Sequence, residues 1–163
     1  MLIYHGSNMV VERPRILVPN RFLDFGTGFY TTTNKAQAIS FADKVTERRR
    51  EGTSSISVYE LDAEKFKSMS VLEFQTPDDR WLDFVSENRA GVAVNKRFDL
   101  IIGPVANDDV YQTLVLYTSG VLTREQTLEA LKVKRLFNQY VFATEKGLTC
   151  LKFIEAFYGM GGK

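Results

Sequence analysis

The sequence contains very little cysteine and histidine. Cys150 is the only cysteine among 163 residues, so the chain forms no intramolecular disulfide and no zinc site built from cysteines. His5 is the only histidine, whereas zinc hydrolases use two or three histidine ligands. These two scarcities predict a protein that works without a bound metal.

Long apolar runs and an excess of charge are missing too. No stretch approaches the roughly 20 apolar residues that a membrane helix needs, and the N-terminus turns polar within a few residues. There are 21 Lys and Arg against 20 Asp and Glu, so no overall charge favours nucleic acid or an acidic membrane. We therefore expect a cytoplasmic protein without membrane contact. The run at residues 48–50 (RRR) predicts a solvated helix end, with phosphate contact as the alternative.

Apolar and aromatic residues are plentiful. Hydrophobic residues make up 44% of the chain, with twelve Phe and seven Tyr, which is enough to bury a core. The length suits one domain. We predict a single domain over residues 1–158 and a disordered tail over 159–163.

Periodicity and capping residues predict an α+β fold, because the strands and helices do not alternate strictly. The predicted strands are Leu2–Tyr4, Phe29–Thr32, Ser55–Leu61, Met69–Phe74, Phe98–Gly103 and Gln139–Ala143. The predicted helix N-caps are Thr33 or Asn34, Thr76, Asn107, Thr123 and Thr144. The last of these helices is expected to run through Leu151 and Ile154, with Cys150 buried inside it.

Three separated segments carry residues that suit the binding of a flat ligand. The segment YHGS at residues 4–7 ends a predicted strand with an imidazole, beside a glycine that lets backbone approach a ligand closely. The turn GTG at residues 26–28 leads to Phe29 and Tyr30, whose rings can stack on another ring. Gln139 begins the late predicted strand and can reach the same cleft. A lone histidine is more often structural, but the three segments together predict a binding cleft.

These segments resemble motifs of the ADP-ribosyltransferase superfamily, in its His-Tyr-Glu branch shared by diphtheria toxin and the poly(ADP-ribose) polymerases. The resemblance covers residues 4–42 and 137–142. The whole chain also resembles a bacterial family of unknown function placed in that superfamily, through YHGSN, LDFGTGFYTTT, WLDFV, GPVANDDVY and NQYVF. The resemblance implies a split β-sheet core of the ADP-ribosyltransferase type with peripheral helices.

The resemblance also implies NAD as co-substrate, with no metal. In the superfamily the histidine holds the adenosine ribose, the glycine backbone holds the nicotinamide carboxamide, and the tyrosine stacks on nicotinamide. His5, Gly6 and Tyr30 match these three positions. The NAD-binding residues that the resemblance implies are His5, Gly6, Ser7, Gly28, Tyr30, Thr31, Phe41 and Gln139.

The sequence departs from the superfamily pattern at three positions. Phe41 replaces a second stacking tyrosine, and Ala38 replaces a serine that holds the carboxamide, so Ser7 or backbone would have to take over that bond. Gln139 replaces the catalytic glutamate. Its amide can orient ribose but cannot ionise, so transfer of a single ADP-ribose is expected rather than chain elongation.

Another carboxylate can supply the missing charge. Asp108 and Asp109 follow the predicted cap Asn107, where the helix dipole favours acids for purely structural reasons. The alternative is that one of them lies in the cleft and stabilises positive charge on ribose. We therefore count His5, Tyr30, Gln139, Asp108 and Asp109 as the candidate catalytic residues. Glu145 is a weaker candidate because it also begins a predicted helix.

The expected function is NAD-dependent mono-ADP-ribosyl transfer to a macromolecule, either protein or nucleic acid, with release of nicotinamide. The resemblance implies a bacterial effector or the toxin of a toxin–antitoxin pair, with a cognate antitoxin as partner. Two alternatives stay open: an NAD glycohydrolase, and an inactive NAD- or ADP-ribose-binding module, which Gln139 favours. Ordinary NAD oxidoreduction is not expected, because the chain has no GxGxxG motif.

Overall fold

The computed structural model describes residues 1–17, 23–92, 97–105, 108–134 and 137–159. Within these ranges the chain is α+β, as the sequence predicts, and it has seven strands and six helices. The strands are β1 (Leu2–Ser7), β2 (Phe29–Thr32), β3 (Ser55–Leu61), β4 (Val71–Glu73), β5 (Leu100–Val105), β6 (Phe137–Phe142) and β7 (Leu151–Tyr158). The helices are α1 (Lys35–Arg49), α2 (Ala63–Phe66), α3 (Asp79–Arg89), α4 (Asp108–Thr118), α5 (Arg124–Lys132) and α6 (Glu145–Leu148).

The strands form one mixed sheet in the order β4-β5-β6-β2-β1-β3-β7. Among the strands of the described ranges, only β4 and β5 run parallel, and every other neighbouring pair is antiparallel. The register places Tyr4 opposite Thr32, Thr32 opposite Gln139, and Gln139 opposite Gly103. The first and third predicted site segments are therefore only two strands apart, about 10 Å at the usual strand spacing.

The sheet divides between β1 and β2. β1 pairs with β3 along all six of its residues but with β2 at a single position, Tyr4 opposite Thr32. β2, by contrast, pairs with β6 along its whole length. Beyond Tyr4 and Thr32 the two strands run side by side without sheet pairing. We call this gap, between His5–Ser7 of β1 and Phe29–Thr31 of β2, the notch.

Hydrophobic cores cover both faces of the sheet. Successive residues of a strand point to opposite faces, so the register sorts the side chains into two sets. On one face, here called the α1 face, α1, α3, α4 and α5 pack against the sheet. On the other, called the opposite face, residues of α2 and α6 pack with Ile3, Phe29 and Tyr59. Each side chain at the notch therefore points either to the α1 face or to the opposite face.

α1 lies directly over the notch edge of β1. Its N-cap is Asn34, one of the two predicted caps, whose side-chain oxygen accepts a hydrogen bond from the Gln37 backbone amide. The buried face of α1 includes Ala38 and Ala42, two small residues that let the helix approach the sheet closely. A Cβ built on Gly6 would lie 2.1 Å from the Ala38 carbonyl oxygen. Only glycine therefore fits at position 6.

Two helix predictions need correction. The N-cap of α3 is Asp78, which accepts a hydrogen bond from the Trp81 amide, and not Thr76. The Asp78 amide instead bonds the Thr76 carbonyl, so residues 76–78 form a turn before the helix. The predicted last helix is wrong beyond Leu148, because α6 has only four residues and the chain continues as β7.

The physical reason for the second correction is pairing with a distant strand. β7 pairs with β3 from Leu151 opposite Leu61 to Tyr158 opposite Ser55, a partner about a hundred positions earlier in the sequence. The apolar residues of 148–157 fit a helical period, but backbone pairing at the sheet edge decides the outcome. Cys150 lies between α6 and β7 rather than inside a helix, and it is buried as expected.

The remaining predictions differ mainly at element boundaries. The capping box of Thr123 and Gln126 is present, and β2 and β3 have the predicted bounds. The short helix α2 was not predicted. Asn107 and residues 160–163 of the predicted tail lie outside the described residues. Among the helices that the structure describes, none combines the length and apolar character that crossing a bilayer requires.

Candidate functional site

His5 spans the notch. Its ring stacks on Phe29, with centroids 4.2 Å apart, and its Nδ1 lies 2.7 Å from the Tyr30 carbonyl oxygen. A carbonyl oxygen only accepts hydrogen bonds, so Nδ1 must carry the proton and donate. Nε2 is then an unprotonated acceptor. The geometry therefore supplies a fixed imidazole with one lone pair available to a hydroxyl group.

The environment keeps this imidazole neutral. Burial lowers the pKa of His5 to about 4, outweighing the hydrogen bond to the Tyr30 carbonyl, which raises it. Above about pH 5 the ring is thus uncharged in the folded protein. An acceptor at Nε2 is consequently present throughout the physiological pH range.

The low pKa of His5 makes stability depend on pH. In the unfolded chain His5 binds a proton below its ordinary pKa of 6.5, while the folded chain resists protonation until about pH 4. Between these values the unfolded state holds more protons, so the free energy of unfolding falls as pH falls, by up to about 3 kcal/mol. Urea titrations at pH 7 and pH 4.5 should show this loss, and a His5→Asn variant should show less of it. An identical loss in both proteins would contradict the assigned environment.

Tyr30 is fixed by the turn that precedes it. Its hydroxyl donates to the Gly26 carbonyl at 2.7 Å and accepts from the Phe25 amide at 3.1 Å. Gly26 closes the turn at φ 75°, a conformation that suits glycine. Burial, and after it the nearby carboxylate of Asp24, raises the pKa of Tyr30 well above its ordinary value, so the phenol stays protonated. The ring, partly exposed, therefore has a defined orientation.

The other predicted binding residues in and beside the notch are held by hydrogen bonds and by close backbone contacts. Thr31 donates its hydroxyl to the Tyr140 carbonyl at 2.7 Å, and Ser7 donates to the Asn8 side chain at 3.3 Å. Gly28 lies so close to β6 that an added Cβ would come within 2.8 Å of the Phe142 carbonyl oxygen. Gly28 and Thr31 thus have structural reasons for their identity in addition to any ligand contact.

Gln139 carries an unpartnered acceptor. The sequence predicts that Gln139 is the first residue of its strand, but the structure makes it the third residue of β6. Its Oε1 is buried and has no hydrogen-bond partner among the described residues. Leaving a buried amide oxygen unpaired costs about 1–3 kcal/mol, and native proteins usually avoid it. An acceptor held in this state is ready for a donor from a ligand.

The remaining candidates are placed less centrally. Phe41 lies on α1 and is 45% exposed, so its ring is accessible. Asp108 and Asp109 are the first two residues of α4, as helix-start chemistry predicts, and their side chains lie outside the described part of the structure. Glu145 begins α6 and is exposed.

The structure brings some of these residues together and separates others. His5 and Tyr30 meet across the notch through ring and backbone. Tyr30 and Gln139 point to the α1 face, whereas His5 points to the opposite face, since the residues of β1 on the α1 face are Leu2, Tyr4 and Gly6. A ligand that touches all three must therefore pass through the notch, where the faces meet.

Two further features were not predicted from the sequence. Asp24 and Arg89 form a mostly buried ion pair beside the Tyr30 turn, with Arg89 Nε 2.6 Å from Asp24 Oδ1. A groove of about 850 Å³ lies between the start of α3 and α5, and Pro104 and Asn138 are among its lining residues. No spacing rule links residues 65 positions apart, so sequence alone gave no signal for the ion pair. In the described ranges, no three His, Cys, Asp or Glu residues cluster as metal ligands would.

A comparison with family models matches residues 1–153 to a family described as "Protein of unknown function (DUF3990)". The chain belongs to the DUF3990 family. The match includes the notch, the Tyr30 turn and β6, so all the candidate residues lie within the family region. No curated protein and no solved structure matches the chain.

Proposed function

We propose that this DUF3990 chain is an NAD-dependent mono-ADP-ribosyltransferase. It breaks the bond between nicotinamide and ribose, joins the ribose carbon to a nucleophile on a macromolecule, and releases nicotinamide and a proton. The observation that carries the proposal is the notch, where the ring of a neutral histidine with an unprotonated Nε2 bonds the backbone of a fixed tyrosine between separated strands. The proposal includes a split sheet core of the ADP-ribosyltransferase type, and the division of the sheet between β1 and β2 supports it.

Each side of the notch has a role in this reaction. His5 Nε2 accepts a hydrogen bond from a hydroxyl of the adenosine ribose. α1 lies so close to β1 that position 6 must be glycine, and the backbone of Gly6 holds the nicotinamide carboxamide. Tyr30 and Phe41 offer ring faces to nicotinamide. Fixing the leaving group in one orientation is a large part of what such a site contributes to rate.

Gln139 acts on the ribose. As nicotinamide leaves, positive charge develops on the ribose ring, and a preorganised dipole nearby stabilises it. The buried Oε1 is the negative end of such a dipole. The amide of Gln139 cannot take a proton. The nucleophile on the macromolecule therefore gives its proton to another group, Asp108 or Asp109. A toxin acting in this way would be held in check by a cognate antitoxin, which the proposal includes as partner.

Replacing Gln139 with methionine tests this role. Methionine has the same length and no polar atom, so the variant no longer buries an unpaired oxygen. The free energy of unfolding should rise by about 1 kcal/mol, while nicotinamide release should fall at least about tenfold. Urea titration and a nicotinamide assay measure the two effects. Gain of stability with unchanged turnover would exclude Gln139 from the site.

The function itself is tested with NAD labelled in its ADP-ribose part, incubated with purified protein and bacterial lysate. Labelled protein or nucleic acid together with free nicotinamide is the expected result, and the labelled class identifies the acceptor. Free ADP-ribose alone would identify a glycohydrolase. NAD binding without release of nicotinamide would identify the binding module that the amide of Gln139 favours.

A further inference from the structure

We infer that Asp24 and Arg89 are positioning residues for Tyr30, acting through the turn at residues 23–28. This inference rests on the proposed function, since Tyr30 contacts nicotinamide only in that reaction. Neither residue belongs to the notch. Their effect on the site passes along the backbone of the turn.

The end of α3 holds Asp24 at two points. Arg89 Nε donates to Asp24 Oδ1 at 2.6 Å, and the two side chains are only 19% and 8% exposed. The neighbouring Asn88 donates its side-chain amide to the Asp24 carbonyl at 3.1 Å. A charge-assisted bond and a backbone bond from one helical turn fix both the side chain and the main chain of Asp24.

The turn transmits this placement to Tyr30. Phe25, which follows Asp24, donates its amide to the Tyr30 hydroxyl, and the hydroxyl donates to Gly26. The Gly26 amide donates a hydrogen bond to the Leu23 carbonyl at 3.0 Å. Three linked hydrogen bonds therefore tie the backbone of the turn to the Tyr30 phenol. A shift of Asp24 moves the two groups that hold the Tyr30 hydroxyl.

Arg89 also contacts α4. Its guanidinium lies 4.6 Å from the centre of the Tyr111 ring, a cation–π distance. α4 begins at Asp108, the position of the candidate carboxylates. One arginine therefore ties the Tyr30 turn to the helix that carries the proposed proton acceptor.

An ion pair is a costly way to fill this position. Removing two charges from water costs several kcal/mol, and well-packed apolar residues often replace such pairs without loss of stability. Apolar residues do not reproduce the orientation of the pair, because the hydrogen bond from Arg89 Nε to Asp24 Oδ1 fixes the direction of the Asp24 side chain. The pair at this position is therefore explained by orientation rather than by stability.

The test replaces the pair with apolar residues of similar size, Asp24→Leu with Arg89→Met, and compares it with the conservative Asp24→Asn. The double variant should keep wild-type stability but lose roughly tenfold to a hundredfold in kcat/KM for NAD, per folded molecule. Asp24→Asn keeps an oxygen that accepts a hydrogen bond from Arg89, so it should retain most of the wild-type kcat/KM. Wild-type kcat/KM in a stable double variant would overturn the inference.

A second readout does not depend on NAD. Hydrogen exchange of the Phe25 amide, which donates to the Tyr30 hydroxyl, should be at least about tenfold faster in the double variant at equal global stability, because the turn opens locally. Unchanged exchange would also overturn the inference. If the wild-type protein releases no nicotinamide, the proposed function fails, and the exchange experiment still decides the role of the pair.

Discussion

A His5→Asn variant should release nicotinamide from NAD roughly tenfold to a hundredfold more slowly than the wild-type protein and still fold. The asparagine amide nitrogen takes the place of Nδ1 and can donate to the Tyr30 carbonyl, so the link across the notch survives. The acceptor at Nε2 is gone, and a ribose hydroxyl is left unpaired, which costs about 1–3 kcal/mol. Initial rates of nicotinamide release measure the effect.

A matched control separates the two nitrogens of the ring. His5→Gln places a polar group near the position of Nε2 and should retain more activity than His5→Asn. Urea titration at pH 7 confirms that both variants are folded. Equal, wild-type rates in both variants would remove His5 from the site and reduce it to a structural histidine.

A Gly6→Ala variant should lose about 3 kcal/mol or more of unfolding free energy. The new methyl carbon would lie 2.1 Å from the Ala38 carbonyl oxygen and 3.0 Å from the Ala42 amide nitrogen. Both are backbone atoms of one helix, so the clash is relieved only by moving α1 away from β1. Urea titration measures the loss.

Gly120 provides the control for that substitution. A Cβ at Gly120 meets no atom of the described residues within 4 Å, and its backbone at φ 85° is what disfavours alanine. Gly120→Ala should therefore cost about 1 kcal/mol. A similar loss of unfolding free energy in the two variants would contradict the close contact between α1 and Gly6.

Local signals predicted much of the fold. The capping box of Thr123 and Gln126 and the cap at Asn34 depend on a few neighbouring residues, and both are present. β7 was missed because its conformation is decided by pairing with β3, which no local pattern reveals. Position 76 was mistaken for a cap because Asp78, two residues later, supplies an equally good oxygen nearer to the helix.

The candidate site was predicted in part. The motifs predicted that His5 and Tyr30 lie close together, and the structure shows their contact. The register places Gln139 two strands from β1. The sequence did not indicate that His5 and Tyr30 point to different faces, or that β1 and β2 separate beyond Tyr4. Both depend on which residues pair across the sheet, which is a property of the assembled fold.

The most direct test of the account is an NMR titration of the uniformly ¹⁵N-labelled protein with NAD. If the notch binds NAD, the backbone amides of Gly6, Ser7 and Thr31 and the side-chain amide of Gln139 should shift together and saturate. The groove beside α5 should stay unchanged, with Glu129 and Lys132 as reporters. Saturation by NAD without shifts at the notch, or shifts confined to the groove, would contradict the proposed site.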